Sequence, residues 1–438
     1  MLTSLTRLLS FWENLRTSFW FLPSIMAVSA IALSSLLVNV DSRLGDKALR
    51  NIDWLYAFGP ASARAILSAI AGSMITVAGL TFSITMLTLQ LASSQFGPRL
   101  LRNFMRDRGN QVVLGTFIAT FVYCLLVLGS VRGTDESGFV PLFAVTFGMV
   151  LAVTSLAILI YFIHHVATGI RIETLLMVLT GETRQAIDRL YPSKLGDGAS
   201  ANRDGAAHSQ IPSDFEKNTM AIEARISGYV QHANADALTK LACDCNLILR
   251  IESRPGRFVS KGKALLVAYP RDRLTDQTVN QLRSAFVVGH DRTPEQDVEF
   301  SLWRIVEIAQ RVLSPGVNDP TTALYCIDRL EESLCLLAGR EVPSPLRLDD
   351  DGHVRIITGV HTLDELACPL FAAIARYAMA DADVILRLLA AMNTLGQVAD
   401  PEPRKQIMDL YALINRESIE HMALSFDQSF VRAAVANQ

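Results

Sequence analysis

A run of about thirty residues, 63–92, carries no charged side chain after Arg64 and consists of Ala, Ile, Leu, Met, Val and Phe interleaved with glycine and small hydroxyl residues. At about 1.5 Å of rise per residue, such a helix outruns a hydrocarbon core of about 30 Å, so the run predicts a membrane-spanning helix with length to spare. Its side chains are sorted. At about 100° per residue, Gly72, Thr76, Gly79, Ser83 and Gln90 fall in one narrow arc, with Ala65, Ser68 and Ala69 beside it, while the other faces are Leu, Ile, Met and Phe. Lipid gives a small, polar face no reason to exist. Either it lets another helix approach closely, or its hydroxyls and Gln90 line a polar path across the membrane. Both readings put this helix at the centre of the membrane domain.

Three further apolar runs complete a four-span pattern. Arg7 and Arg16 precede a run at 19–40 whose aromatic entry, Pro23 and lack of a cleavage site before the charged segment 41–50 predict a retained span rather than a removed signal. A loop at 41–60 mixes both charge signs with Trp54, Tyr56 and Phe58, residues suited to a membrane interface. Beyond the long span, a turn at Gly97-Pro98 leads to a short amphipathic helix with Arg99, Arg102, Asn103 and Arg106 on one face and Leu100, Leu101, Phe104 and Met105 on the other. With Arg108 these arginines form a positive-inside signal that assigns the loop, and both chain termini, to the cytosol. They also suit anionic headgroups or, around an oligomer axis, a positive ring at a pore mouth. The third span is expected at 112–131. The fourth opens at Pro141 and ends near 163, before His164 and His165, whose adjacency favours an interfacial cap or proton-sensitive contact over a metal site.

Past the spans the composition becomes that of a soluble protein. Half of the whole chain is apolar and its formal net charge is −3 at pH 7, a balance that fits a membrane domain joined to a soluble one and gives no support to a nucleic-acid partner. The cysteines at 124, 243, 245, 326, 335 and 368 are scattered among apolar residues, as reduced, buried thiols on the cytosolic side would be. Cys243 and Cys245 lack the second ligand pair a zinc site requires.

The expected fold is an α-helical integral membrane domain with four transmembrane helices, followed by a cytosolic α+β region with a small β-barrel-like module and a helical C-terminal part. The boundaries are a membrane domain at 1–169, a helix and flexible linker at 170–218, the β-rich module at 219–272 and a mainly helical domain with one β-hairpin at 273–438. Short β-type runs around Ser227-Gly228, Pro255-Gly256 and Lys261-Gly262-Lys263 resemble a small lipoyl-like barrel. No lysine sits in the hairpin tip that such carriers modify, so a structural or assembly module is favoured. Farther on, two helices are expected on either side of Ser314-Pro315-Gly316, the second capped by Asn318 or Asp319 with Pro320 in its first turn. The alternative use of that turn is to hold an anion or polar ligand with Asn318, Thr321 and Thr322 as donors, although Asp319 would oppose an anion. A hairpin is expected around the Asp-Gly turn at 346–359, and helices at 363–378 and 381–395, with a turn at 400–403 before the final segment.

Two segments carry a family resemblance: QLASSQFGPRLLRNFMRDRGNQVVLGTFIATFVYCLLVL at 90–128 and RVLSPGVNDPTTALYCIDRL at 311–330. They resemble the signature segments of the bacterial predicted-membrane-protein family catalogued as domain of unknown function 2254. The resemblance implies this order of elements over nearly the whole chain and a bacterial inner membrane; it brings no activity and no catalytic residues.

No HExxH, phosphate-cradling glycine loop, GxSxG elbow or paired metal ligand set occurs, and His290, His353, His361 and His421 lie in separate elements. No enzyme activity, cofactor or metal is therefore expected. The preferred reading is a homo-oligomeric ion channel or transport pore, its path lined by the second span, its inner vestibule formed by Arg99, Arg102 and Arg106, and its cytosolic part serving assembly and gating. The expected partners are the bilayer, further copies of the chain, and anionic lipid or inorganic ions. The alternative is a membrane-anchored interaction or sensory protein whose spans pack together and whose cytosolic part binds a partner or ligand.

Overall fold

The computed structural model describes residues 19–44, 59–96, 107–133, 139–169, 172–191 and 210–436. The chain divides into two compact units, Met1–Thr174 and Leu175–Gln438. Among the described residues of the first, four helices are long and apolar enough to cross a membrane: α1 (Phe21–Leu44), α2 (Pro60–Phe96), α3 (Arg108–Ser130) and α4 (Leu142–Gly169).

The middle of this bundle is α3 rather than the long α2. Half of the most apolar window of α3 is buried, against 22% for α2 and α4 and 17% for α1. Its glycine and hydroxyl residues explain the position. A Cβ at Gly115 would stand 2.5 Å from Met26 Sδ and 3.2 Å from the Pro23 backbone, so α1 crosses α3 where only glycine leaves room. Thr120 and Ser155 share a hydrogen bond of 3.2 Å between α3 and α4, and the buried Tyr123 hydroxyl donates to the Ala144 carbonyl at 2.8 Å. The first helix continues through Asp41 to Leu44, past the loop boundary expected at 41. The reason lies on α4: the Asp41 carboxylate accepts from the amides of Phe143 (3.2 Å) and Ala144 (3.0 Å), donors that have no partner within their own first turn. Arg64 ties the start of α2 to the carbonyls of Val131 and Gly133.

The second unit opens with most of α5 (Ile172–Leu190), whose Leu175, Leu176, Leu179, Ala186 and Ile187 are buried. Among the described residues, eight strands follow in two sheets: β1 (Met220–Glu223), β2 (Gly228–Ala233), β3 (Ile248–Ile251), β4 (Phe258–Val259), β5 (Ala264–Tyr269), β6 (Phe286–Gly289), β7 (Leu346–Leu348) and β8 (Val354–Ile357). One sheet has the order β1-β5-β3-β8-β7 and the other β4-β2-β6. The barrel-like expectation is not confirmed: the described strands form two sheets and no closed barrel. The strands expected within 219–272 are present, but β6 and the hairpin β7–β8 complete the sheets from farther along the chain, β8 running parallel to β3 with Leu249 opposite Ile356. Two helices, α6 (Ala235–Asp244) and α7 (Asp276–Ser284), contribute Leu238, Ala242 and Leu282 to a core shared with Ile222, Val230 and Leu249.

The remainder is helical: α8 (Val298–Val312), α9 (Pro320–Ala338), α10 (Leu363–Ala378), α11 (Ala382–Val398), α12 (Pro401–His421) and α13 (Ser425–Ala436). Helix α8 ends before the expected break, and α10 begins at a capping box formed by Thr362 and Glu365. The Asp400 to Pro403 turn proves to be the start of α12, where Pro401 takes a first-turn position that lacks an amide bond in any case.

Candidate functional site

The sorted face of the long span lies on the outside of the single-copy bundle. Pro60, Ala63, Leu67, Ala71, Ala78, Thr81 and Thr85 are the buried residues of α2, and their mean direction is about 150° round the helix from the arc of Gly72, Thr76, Gly79, Ser83 and Gln90. Every residue of that arc is exposed. A Cβ added at Gly72 or Gly79 would meet no atom within 4 Å. The small residues of this arc therefore do not serve packing inside one copy. The Thr76 hydroxyl donates to the Gly72 carbonyl and the Ser83 hydroxyl to the Gly79 carbonyl, each at 2.9 Å, which satisfies both groups without a second helix.

At the end of the bundle where α3 begins and α4 finishes, Asp107 caps α3 by accepting from the Gly109 amide at 2.8 Å, and its other oxygen lies 2.6 Å from His165 Nε2. His165 also stacks on Tyr161, with ring centroids 5.4 Å apart. A side chain on Gly109 would come within 2.7 Å of His165 Nε2, so this glycine is what lets imidazole and carboxylate meet. His165 thus makes a polar contact, with a partner that sequence reading missed because Asp107 stands among the arginines. Arg99, Arg102 and Arg106 lie outside the described residues.

The turn before α9 is capped from within the chain. Asp319 accepts from the Thr322 amide at 3.1 Å and from the Thr322 hydroxyl at 2.5 Å, and Pro320 occupies the first turn. Asn318 takes the left-handed conformation, φ +49°, that brings the Asp319 amide to the Val312 carbonyl at 2.8 Å. Thr321 is exposed.

A polar joint, absent from the sequence reading, connects the β3–β4 turn to the starts of α8 and α10 and to the end of α5. Asp297, whose side chain is 4% exposed, caps α8 through the Phe300 amide and receives Arg292 Nε at 2.8 Å and Nη2 at 2.9 Å. Burial pushes the Asp297 carboxyl up, and Arg292 pulls it back. Arg292 also reaches Glu299 at 3.2 Å, and Glu299 stands 3.9 Å from His361 Nε2. On the other side of that ring, Arg254 Nη2 and Glu365 Oε2 each lie 3.4 Å from His361 Nδ1, while the buried Tyr191 hydroxyl donates to the His361 carbonyl at 3.2 Å. Gly256, at φ +87°, brings the turn against Asp297 so closely that a Cβ would stand 2.1 Å from the carboxylate. No local signal announced this cluster, whose members come from four separated stretches.

A family model of predicted membrane proteins, DUF2254, matches residues 16–394, most of the chain. The chain belongs to this family. Two relatives of this DUF2254 protein, uncharacterized proteins of Mycobacterium tuberculosis and Mycobacterium bovis, are each 32% identical to it over 435 residues, covering 97% of this chain and 80% of theirs. No solved structure matches. The four helices apolar enough to cross a membrane and the mixed region beyond them thus belong to a DUF2254 membrane protein, and the exposed arc on α2 is a feature that a single copy leaves unexplained.

Proposed function

We propose that the protein is a homo-oligomeric ion channel or transport pore of the bacterial inner membrane, with α2 of each copy lining the path. The observation that carries the reading is the exposed arc of Gly72, Thr76, Gly79, Ser83 and Gln90, directed away from the copy's own bundle. Four spans are few for a complete transporter, and a small, polar outer face is what a path shared between copies requires. The positive-inside count supports cytosolic termini, and it puts Arg99, Arg102 and Arg106 at the inner mouth, where they attract anions or bind acidic lipid. The turn of Asn318, Thr321 and Thr322 serves as a polar contact of the cytosolic part.

A second reading has one specific observation in its favour. Because Thr76 and Ser83 are satisfied by their own helix, the arc has no need of water, as suits a membrane-anchored interaction or sensory protein. Recordings from the purified protein in planar bilayers separate the two. The pore gives reproducible unitary currents, lowered by Gln90→Leu and altered in ion preference by Arg102→Glu; absence of current from protein shown to be folded and oligomeric overturns it.

A further inference from the structure

The joint at His361 has a chemistry that neither reading of the spans uses. It contains one side chain that can change charge near neutral pH, and that side chain stands between groups making opposite demands on it. From the β3–β4 turn come Arg254, at 3.4 Å, and the exposed Arg257; from α8 comes Glu299, at 3.9 Å and held by Arg292; from α10 itself comes Glu365, at 3.4 Å; from the end of α5 comes Tyr191, on the backbone carbonyl. Arg254 has only donors to offer, so it bonds His361 Nδ1 when that nitrogen carries a free lone pair. The neutral ring then presents its remaining N–H, on Nε2, toward Glu299. Protonation turns Nδ1 into a donor. The bond from Arg254 is lost, two cations face each other at the same distance, and the imidazolium is left to Glu365 and Glu299.

We propose that Arg254 and His361 form a proton-operated latch that holds the β3–β4 turn to the helical part while His361 is neutral and releases it when His361 takes up a proton. The inference stands whether or not the spans conduct. Burial, with Arg254 second, holds the His361 pKa below its ordinary 6.5, as a latch closed at neutral pH requires. The sign follows: above the ordinary value both latched and released forms are neutral and the latch has its full strength. As pH falls below 6.5 the released form binds the proton first, and latching weakens until the lowered value is reached. The closeness of Gly256 to Asp297 means that a freed turn can move only outward from the start of α8.

Hydrogen exchange of the full chain in detergent, read by mass spectrometry and corrected for the intrinsic rate, tests the latch at about pH 7.5 and about pH 5.5. Peptides covering 253–258 and 361–366 are expected to open up to about tenfold more at the lower pH, the limit set by one pH unit of linkage. In His361→Gln, which offers an uncharged acceptor at every pH, the acid response disappears. In Arg254→Gln the same peptides exchange fast at both values. Glu365→Gln, at an exposed position, removes a carboxylate that favours the imidazolium and moves the opening to lower pH. An unchanged exchange rate in the natural protein overturns the proposal, and so does a His361→Gln or Glu365→Gln variant that keeps the natural acid response.

Discussion

Under the proposed shared pore, leucine at both Gly72 and Gly79 leaves each copy folded and separates the copies from one another. Neither position has an atom of its own copy within 4 Å of the added Cβ, so the new side chains meet no obstacle inside the bundle, and leucine is the better helix former. What they do obstruct is a helix approaching from outside. At about 1–2 kcal/mol for each contact, the scale of interhelical polar contacts in membranes, two losses come to about 2–4 kcal/mol and weaken association about thirty- to several-hundredfold. Sedimentation or mass photometry in detergent reads the result as a shift to single copies, and bilayer currents vanish with it. The same substitutions at a lipid-facing surface change neither quantity.

The second large effect is at Gly256. Alanine there combines a left-handed backbone, φ +87°, with a Cβ 2.1 Å from the Asp297 carboxylate, and that carboxylate is fixed by Arg292 and by the start of α8. Backbone strain and overpacking together put the loss at about 2–4 kcal/mol in the second unit. Gly262 provides the comparison. Its φ is +83°, yet no atom lies within 4 Å of an added Cβ, so alanine there meets backbone strain alone, about 1 kcal/mol. Thermal unfolding of the two variants side by side separates the close approach at the joint from the cost of the backbone conformation. Equal losses would mean that Asp297 yields and that the joint is looser than its hydrogen bonds indicate.

The elements that could be read from sequence are those whose signal is local. A span is specified by its own apolar length, so α2 was expected from 63 to 92 and runs from Pro60 to Phe96. Helix α10 begins and ends where expected, 363–378, because Thr362 and Glu365 mark its start and a period of buried residues through Leu366, Leu370 and Ile374 marks its face. What depended on a distant partner was missed. Alternation identifies a strand and not its neighbour, so the parallel pairing of β8 with β3 was invisible and a barrel was expected where the described strands form two sheets. Asp41 looked like the first residue of a loop, since nothing near it reveals that the amides of Phe143 and Ala144 lie across the bundle. The placement of α3 in the middle follows from Gly115, Thr120 and Tyr123 meeting other helices, whereas the conspicuous arc on α2 pointed to an outer face. The Arg254–His361 joint belongs to the same class: unremarkable residues in sequence, brought together by the fold.

The central claim is that water reaches the α2 arc inside the membrane. Single cysteines at Thr76 and Ser83, treated in intact membranes with a charged thiol reagent that does not cross lipid, test it most directly. A cysteine at Val153 of α4, 71% exposed on an apolar face, serves as the lipid-facing control. The pore predicts that both arc positions are modified while Val153→Cys is spared. Unreactive cysteines at Thr76 and Ser83, in protein that remains oligomeric, contradict it and leave the arc as a dry seam between anchored copies.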